Sequence, residues 1–314
     1  MTTVQPDPLA TMPVACAAWA RHEALDPIGT AGTHPAYLLV EWPLPWPRDI
    51  GEIPQLASLS SLLTEVGARL QAVVPTGPGP QRLTLYRRTE PFAGYRRTDT
   101  TVTTTLDAAV AQLLAAEGAN SAGMAMPEHD VLVCTHGRRD RCCGSLGTAL
   151  YRTMTEPDGT PREVETLDPA ATVRRTSHTG GHRFAPTVLV LPEGTMWAFA
   201  DRDLLARVIA RQGSLDDVLP RYRGCTGLTS RSQQAVERAV LAQVGWELFA
   251  MARQGKDVDG TTHLSVTQPD GTVTTWAAEV SAGRRVATPD CGHPIATATK
   301  SETELVVADL RILG

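Results

Sequence analysis

The sequence predicts an α/β protein with a thioredoxin-like core, an additional N-terminal α/β layer and a small β-rich C-terminal region. Short apolar runs such as Asp130-Val-Leu-Val-Cys134 alternate with stretches whose apolar residues recur at helical spacing. Gly- and Pro-rich breakers separate them. Beyond Gly255 the text changes to alternating residues with turn signals at Pro269-Asp270-Gly271 and Gly283, the pattern of an antiparallel unit over residues 263–313.

In chain order, residues 36–42 read as a strand that the Pro-rich segment around Trp46 terminates. Residues 56–74 carry apolar residues at helical spacing, and the breakers of residues 75–80 close that helix. Strands follow at 81–87 and 95–103, and a helix at 105–117. The central segment then supplies a buried strand at 130–134, a helix at 145–155, a middle strand at 164–167 and a hairpin of 188–191 with 196–199. Asp201 caps a helix running to about Arg211. Strand, helix, strand, hairpin, helix is the order of a thioredoxin-like core. A long helical pattern covers 230–252, and no internal repeat is visible in the sequence.

A length of 314 residues suits about two domains, or one large domain with an appendage. The composition shifts divide the chain into an N-terminal α/β region (1–120), a thioredoxin-like domain (121–215) and a long helix followed by a β-rich region (216–314). The formal net charge of −5, with no long run of one sign, argues against a nucleic-acid binder or membrane-surface protein. No run is long enough for membrane insertion. No basic segment precedes the short apolar stretch at 12–20, and six cysteines are too sparse for a disulfide scaffold. A cytoplasmic protein is the expectation.

The densest chemistry is Cys134-Thr-His-Gly-Arg-Arg-Asp-Arg-Cys142-Cys143-Gly144, running from a strand end to a helix start. Cys143 is expected at a helix N-terminus, where free N–H groups stabilise a thiolate. A second constellation is Ser177-His178-Thr-Gly-Gly-His182-Arg-Phe. Its glycine pair favours a loop over a helix, so two imidazoles can converge on one centre. Two cysteines nine apart and two histidines four apart supply four N/S ligands, which suit zinc or a [2Fe-2S] cluster. Gly144-Ser-Leu-Gly147 lacks the spacing of a nucleotide-binding loop, and Cys16 and Cys225 read as packing residues.

Cys134-x-His136-x-x-Arg139-Asp140-x-x-Cys143-Gly144, followed by His178-x-x-x-His182 and Phe184-Ala185, resembles the sucrase/ferredoxin-like family over roughly residues 35–215. The resemblance implies a thioredoxin-like ferredoxin domain carrying one [2Fe-2S] cluster, with Cys134 and Cys143 as thiolate ligands and His178 and His182 as imidazole ligands. It implies electron transfer with a redox partner protein, such as an acidic reductase or ferredoxin, and no sucrase activity. Cys142 departs from the family pattern, where a basic residue is more frequent. Two other readings use the same residues: a thiol-disulfide oxidoreductase working through Cys142 or Cys143, and a zinc-stabilised interaction module. Arg138, Arg139, Arg141, Arg174, Arg175 and Arg183 flank the candidate ligands and are expected to form a positive rim, with Arg139 and Asp140 paired internally.

Overall fold

A computed structural model of the chain describes residues 12–116, 129–155 and 171–313. Strand β1 (Pro13–Val14) leads into helix α1 (Cys16–His22), and then a βαβββα series begins. It comprises β2 (Ala36–Glu41), the short helices α2 (Pro54–Ala57) and α3 (Ser60–Glu65), β3 (Ala68–Val73), β4 (Arg82–Arg88), β5 (Tyr95–Thr101) and α4 (Leu106–Ala115). A second series repeats the order: β6 (His129–Cys134), α5 (Thr148–Met154), β7 (Ala171–Thr176), β8 (Val188–Leu191), β9 (Thr195–Trp197) and α6 (Arg202–Ala210). After it come β10 (Tyr222–Cys225), α7 (Arg231–Val244), β11 (Ala252–Val258), β12 (Thr261–Thr267), β13 (Val273–Thr288), β14 (His293–Pro294) and β15 (Lys300–Ile312).

Both series build the same half-sheet. In the first, β2 pairs in parallel with β3 and antiparallel with β4, which pairs with β5. In the second, β6 pairs in parallel with β7 and antiparallel with β8, which pairs with β9. Each is a thioredoxin-like arrangement, so the N-terminal layer repeats the topology of the core although its sequence shows no repeat. The halves join edge to edge where Val73 of β3 meets Thr176 of β7, giving one sheet ordered β10-β9-β8-β6-β7-β3-β2-β4-β5. Val74 N–H donates to the Arg175 carbonyl and Ser177 N–H to the Ala72 carbonyl across the seam, at 3.1 and 2.8 Å. β6 and β8 are buried along their length, β8 wholly apolar and β6 apolar after His129 and Asp130, as central strands covered on both faces must be.

Three expected elements differ. The helix read over 56–74 ends at Glu65. Gly67 turns the chain through a left-handed conformation (φ 62°), and residues 68–73 become β3 beside β2, so sheet pairing overrides a helical pattern that runs on in the sequence. The middle strand expected at 164–167 lies outside the described residues, and the parallel partner of β6 is β7. β7 is hard to read as a buried strand because it contains Arg174 and Arg175. Burial of Arg174 is offset by Glu41 at the end of β2, 2.9 Å away. The helix read over 230–252 ends at Val244, and β11 starts the C-terminal sheet at Ala252.

That sheet, ordered β11-β12-β13-β15, is antiparallel. Ser230 caps α7 by accepting from Gln233 N–H, and α7 lies between β10 and the C-terminal sheet. Both of its faces are therefore covered, and Glu237 is buried with Val236, Val240 and Leu241. Glu237 pairs with Arg253 of β11 and accepts from Tyr222 O–H of β10 at 2.8 Å, which ties the two sheets through one fully buried ion pair. Glu237→Ala leaves the guanidinium uncompensated and is expected to cost about 3–5 kcal/mol. Glu237→Leu with Arg253→Met should recover most of that loss, and urea unfolding of the three chains measures both effects.

Candidate metal centre

Cys134 is the last residue of β6 and is paired with Thr176, the last residue of β7. Both chains turn away from the carboxyl ends of a parallel strand pair, so the cysteine loop and the histidine loop leave the sheet side by side. Thr135 N–H donates to the Thr176 carbonyl (3.1 Å), and Cys134 N–H to the Thr187 carbonyl (3.1 Å). The loop returns in a widened π-helical turn, Cys143–Gly147, that leads into α5. Gly147 is the point of closest approach: a Cβ there would lie 1.9 Å from the Cys134 carbonyl oxygen. Only glycine lets the two ends of the loop pack so closely.

This packing brings together ligand-type atoms of Cys134, Cys143 and His178 within 4.8 Å of one another. Cys134 and Cys143 are fully buried. His178 Nδ1 is buried and has no hydrogen-bond partner among the described residues. His182 stands beside His178, their ring centroids 6.4 Å apart, but its Nδ1 turns toward Asp140 Oδ2 at 2.8 Å. Three of the four expected ligand residues thus converge tightly. The fourth is adjacent and held by a carboxylate that fixes its ring and leaves Nε2 to face elsewhere.

Asp140 organises the loop. Its Oδ1 accepts from Cys142 N–H (2.9 Å) and Cys143 N–H (3.3 Å), so the helix-start donors expected to stabilise a Cys143 thiolate are taken by a carboxylate instead. Burial opposes ionisation of Asp140, but His182 and these N–H groups outweigh it and hold its carboxyl below the ordinary value. The Cys143 thiol is pushed up by its hydrogen bond with Cys134 and by burial. Cys134 is shifted down, first by that same bond, with His178 contributing against burial. The expected Arg139–Asp140 pair does not form: Arg139 reaches Asp49 at 3.1 Å, and Asp140 takes His182.

Positioning residues that sequence reasoning passed over lie around the histidine loop. His136 Nδ1 accepts from His178 N–H (3.3 Å) while its Nε2 lies 2.6 Å from the Pro47 carbonyl, an arrangement that assigns the proton to Nε2. Arg69 donates to the His178 carbonyl (2.8 Å). Arg223 of β10, 1% exposed, lies beneath the glycine pair and donates to the Gly180 carbonyl at 3.1 Å and the Thr30 carbonyl at 2.5 Å. Gly181 is left-handed (φ 69°), and a Cβ there would sit 2.3 Å from the Arg223 guanidinium.

A cavity of about 570 Å³ opens over the site, with Arg48, Arg138, Arg141 and Lys300 on its walls beside His178 and His182. The rim differs from the six arginines expected. Arg174 is buried against Glu41, Arg183 pairs with Glu302, and Arg175 lies over the Tyr151 ring. Of the remaining cysteines, Cys225 packs in the main core, where burial pushes its thiol up to about 12. Cys16 does not pack as an isolated apolar residue: it joins Cys134, Cys142 and Cys143 in one buried cluster against which Cys291 rests.

Thiols and imidazoles gather here at the carboxyl ends of a parallel strand pair, and such donors are of the kind that soft metals take as ligands. The chain belongs to the sucrase/ferredoxin-like family, whose sequence profile matches residues 27–224. That span runs from just before β2 into β10 and so takes in both half-sheets, but neither Cys16 nor Cys291. No curated protein and no solved structure matches the chain. Gly147→Ala must push the Cys134 carbonyl out of place and is expected to destabilise the protein by about 1–3 kcal/mol. Ser145→Ala, on the exposed side of the same turn, serves as the control, with thermal unfolding as the measurement.

Proposed function

We propose that this chain is a ferredoxin-like electron-transfer protein that holds one [2Fe-2S] cluster through Cys134, Cys143, His178 and His182. The observation that supports it most is the buried, unpartnered His178 Nδ1 next to two buried thiols. An orphaned imidazole nitrogen in such a place is costly unless it serves as a ligand. The donor set of two sulfurs and two imidazoles suits the group, which when bound would supply reversible one-electron chemistry.

The protein's own residues divide the remaining work. Burial of Cys134 and Cys143 keeps water from the sulfur side, while the histidines face the cavity and bring the centre closest to the surface there. Asp140 holds His182 by Nδ1, and His136 with Arg69 fixes the backbone of His178. Arg138 and Arg141, exposed and without carboxylate partners among the described residues, offer a positive mouth to an acidic redox partner. The thiol-disulfide alternative is less well supported, because Cys142 is 4% exposed and Cys143 0%, which leaves a substrate disulfide no access.

Iron and acid-labile sulfide in anaerobically purified chains test the ligand set. Cys134→Ala and Cys143→Ala should each lose both, and Cys142→Ala should keep them. The opposite result for Cys142 and Cys143 would move the ligand by one residue. Two thiolates and two neutral imidazoles place less negative charge on the centre than four thiolates, so His178→Cys, if it assembles, should lower the reduction potential read by voltammetry. If colourless wild-type protein holds no iron, the proposal fails.

Docking has its own test. Replacing Arg138 and Arg141 by Glu should leave the visible spectrum unchanged and slow reduction by an acidic donor, most at low salt. The Debye length is about 30 Å at 0.01 M and about 8 Å at physiological ionic strength. Stopped-flow rates that do not respond to the charges or to salt would remove the basic mouth from the mechanism.

A further inference from the structure

Cys16, Cys142 and Cys291 come from the two ends and the middle of the chain, yet their sulfur atoms converge. Cys142 Sγ lies 3.5 Å from Cys16 Sγ and 3.1 Å from Cys291 Sγ. These three sulfurs and an Asp140 carboxylate oxygen all fall within 4.8 Å of one another. The backbone explains how the chain ends meet. β1 pairs with β14 in the antiparallel register Val14↔His293, and Gly292 N–H donates to the Val14 carbonyl at 2.9 Å. Two residues beyond that pair Cys16 opens α1, and its sulfur comes near that of Cys291, which directly precedes Gly292. Cys142 then closes the triangle from the loop that Asp140 organises.

Packing of inert thiols does not account for this group, because it contains a carboxylate. Asp140 is buried and engaged by His182 and two N–H groups, and Cys16 Sγ lies 3.3 Å from the same His182 Nδ1, so each thiolate formed here adds negative charge beyond what these partners meet and a cation would offset it. A disulfide would use two of three sulfurs and leave the carboxylate where it is. A small ion uses all four donors. With metal–sulfur bonds of about 2.3 Å, tetrahedral ligands stand about 3.8 Å apart, so the sulfur pairs at 3.5 and 3.1 Å must open by a few tenths of an ångström to take an ion. Each Asp140 oxygen has a second lone pair beyond those engaged by Cys142 N–H and His182, so it can serve as a ligand without releasing the loop. Cys291 is partly exposed and lines the cavity, which gives an ion its entry.

We propose that Cys16, Cys142 and Cys291, with Asp140 as fourth donor, form a second metal site for a thiophilic divalent ion of the zinc class. The ion clamps the N-terminal helix and the segment before β14 onto the cysteine loop, as structural zinc sites do. None of its three sulfurs is among the four residues assigned to the redox centre, although Asp140 and Cys16 both touch His182, so zinc and iron are counted separately in the test.

The test loads the full-length chain with Zn(II) without air, removes loose metal on a desalting column and counts zinc by elemental analysis. Wild type should retain one equivalent that Cys16→Ser/Cys291→Ser loses, while Cys134→Ser retains it. Cys291→Ser alone, at a partly exposed position, should also lose it and guards against misfolding of the double variant. X-ray absorption at the zinc edge should show a sulfur-dominated shell at about 2.3 Å. Equal zinc in wild type and the Cys16/Cys291 variants overturns the site, as does loss of zinc only in Cys134→Ser. A Cys142–Cys291 disulfide recovered from metal-free, anaerobically purified wild type would overturn it too, by assigning the pair to thiol oxidation.

Discussion

The parallel pairing of β6 with β7 fixes the position of every candidate ligand in the centre. Because Cys134 and Thr176 end their strands opposite each other, the cysteine loop and the histidine loop emerge together, and backbone hydrogen bonds hold them there. A shift of one residue in this register would turn alternate side chains to the opposite face of the sheet and separate the sulfurs from the imidazoles. The nearby features follow from the need to keep that junction closed. Gly147 lets the loop return against the strand end, and Arg223 supports the glycine turn from below.

Asp140 connects the two thiol groups. Its carboxylate contacts the backbone of Cys142 and Cys143, the imidazole of His182 and the region of Cys16. In a buried setting such a group couples everything it touches, since moving its charge changes the cost of ionising each neighbour. These groups thereby act as one electrostatic unit, although they come from three parts of the chain.

The sequence made the cysteine and histidine motifs legible because each is local: a strand end, a polar loop and a glycine turn carry their signals within ten residues. It also made the hairpin and the Asp201-capped helix legible, since their signals are equally short in range. What stayed hidden was set by distance. Arg174 and Arg175 disguise β7 because the partner that permits burial, Glu41, lies 133 residues away. The helical spacing of 56–74 runs straight through Gly67, and only pairing with β2 decides that its second part is a strand. Cys16 read as a packing residue because the two-residue ladder that brings it to Cys291 is too short to leave a pattern.

The doubled sheet has a consequence for how the molecule divides its labour. Glu41 ends β2 as Cys134 ends β6, so the two residues hold corresponding places in the two halves. One place feeds a thiol into the candidate centre. The other anchors Arg174 of β7 and Arg82 of β4, and so grips the very strand that delivers the histidines. The half without candidate ligands serves as a brace for the half that carries them, so a frame symmetric in its backbone is one-sided in its chemistry.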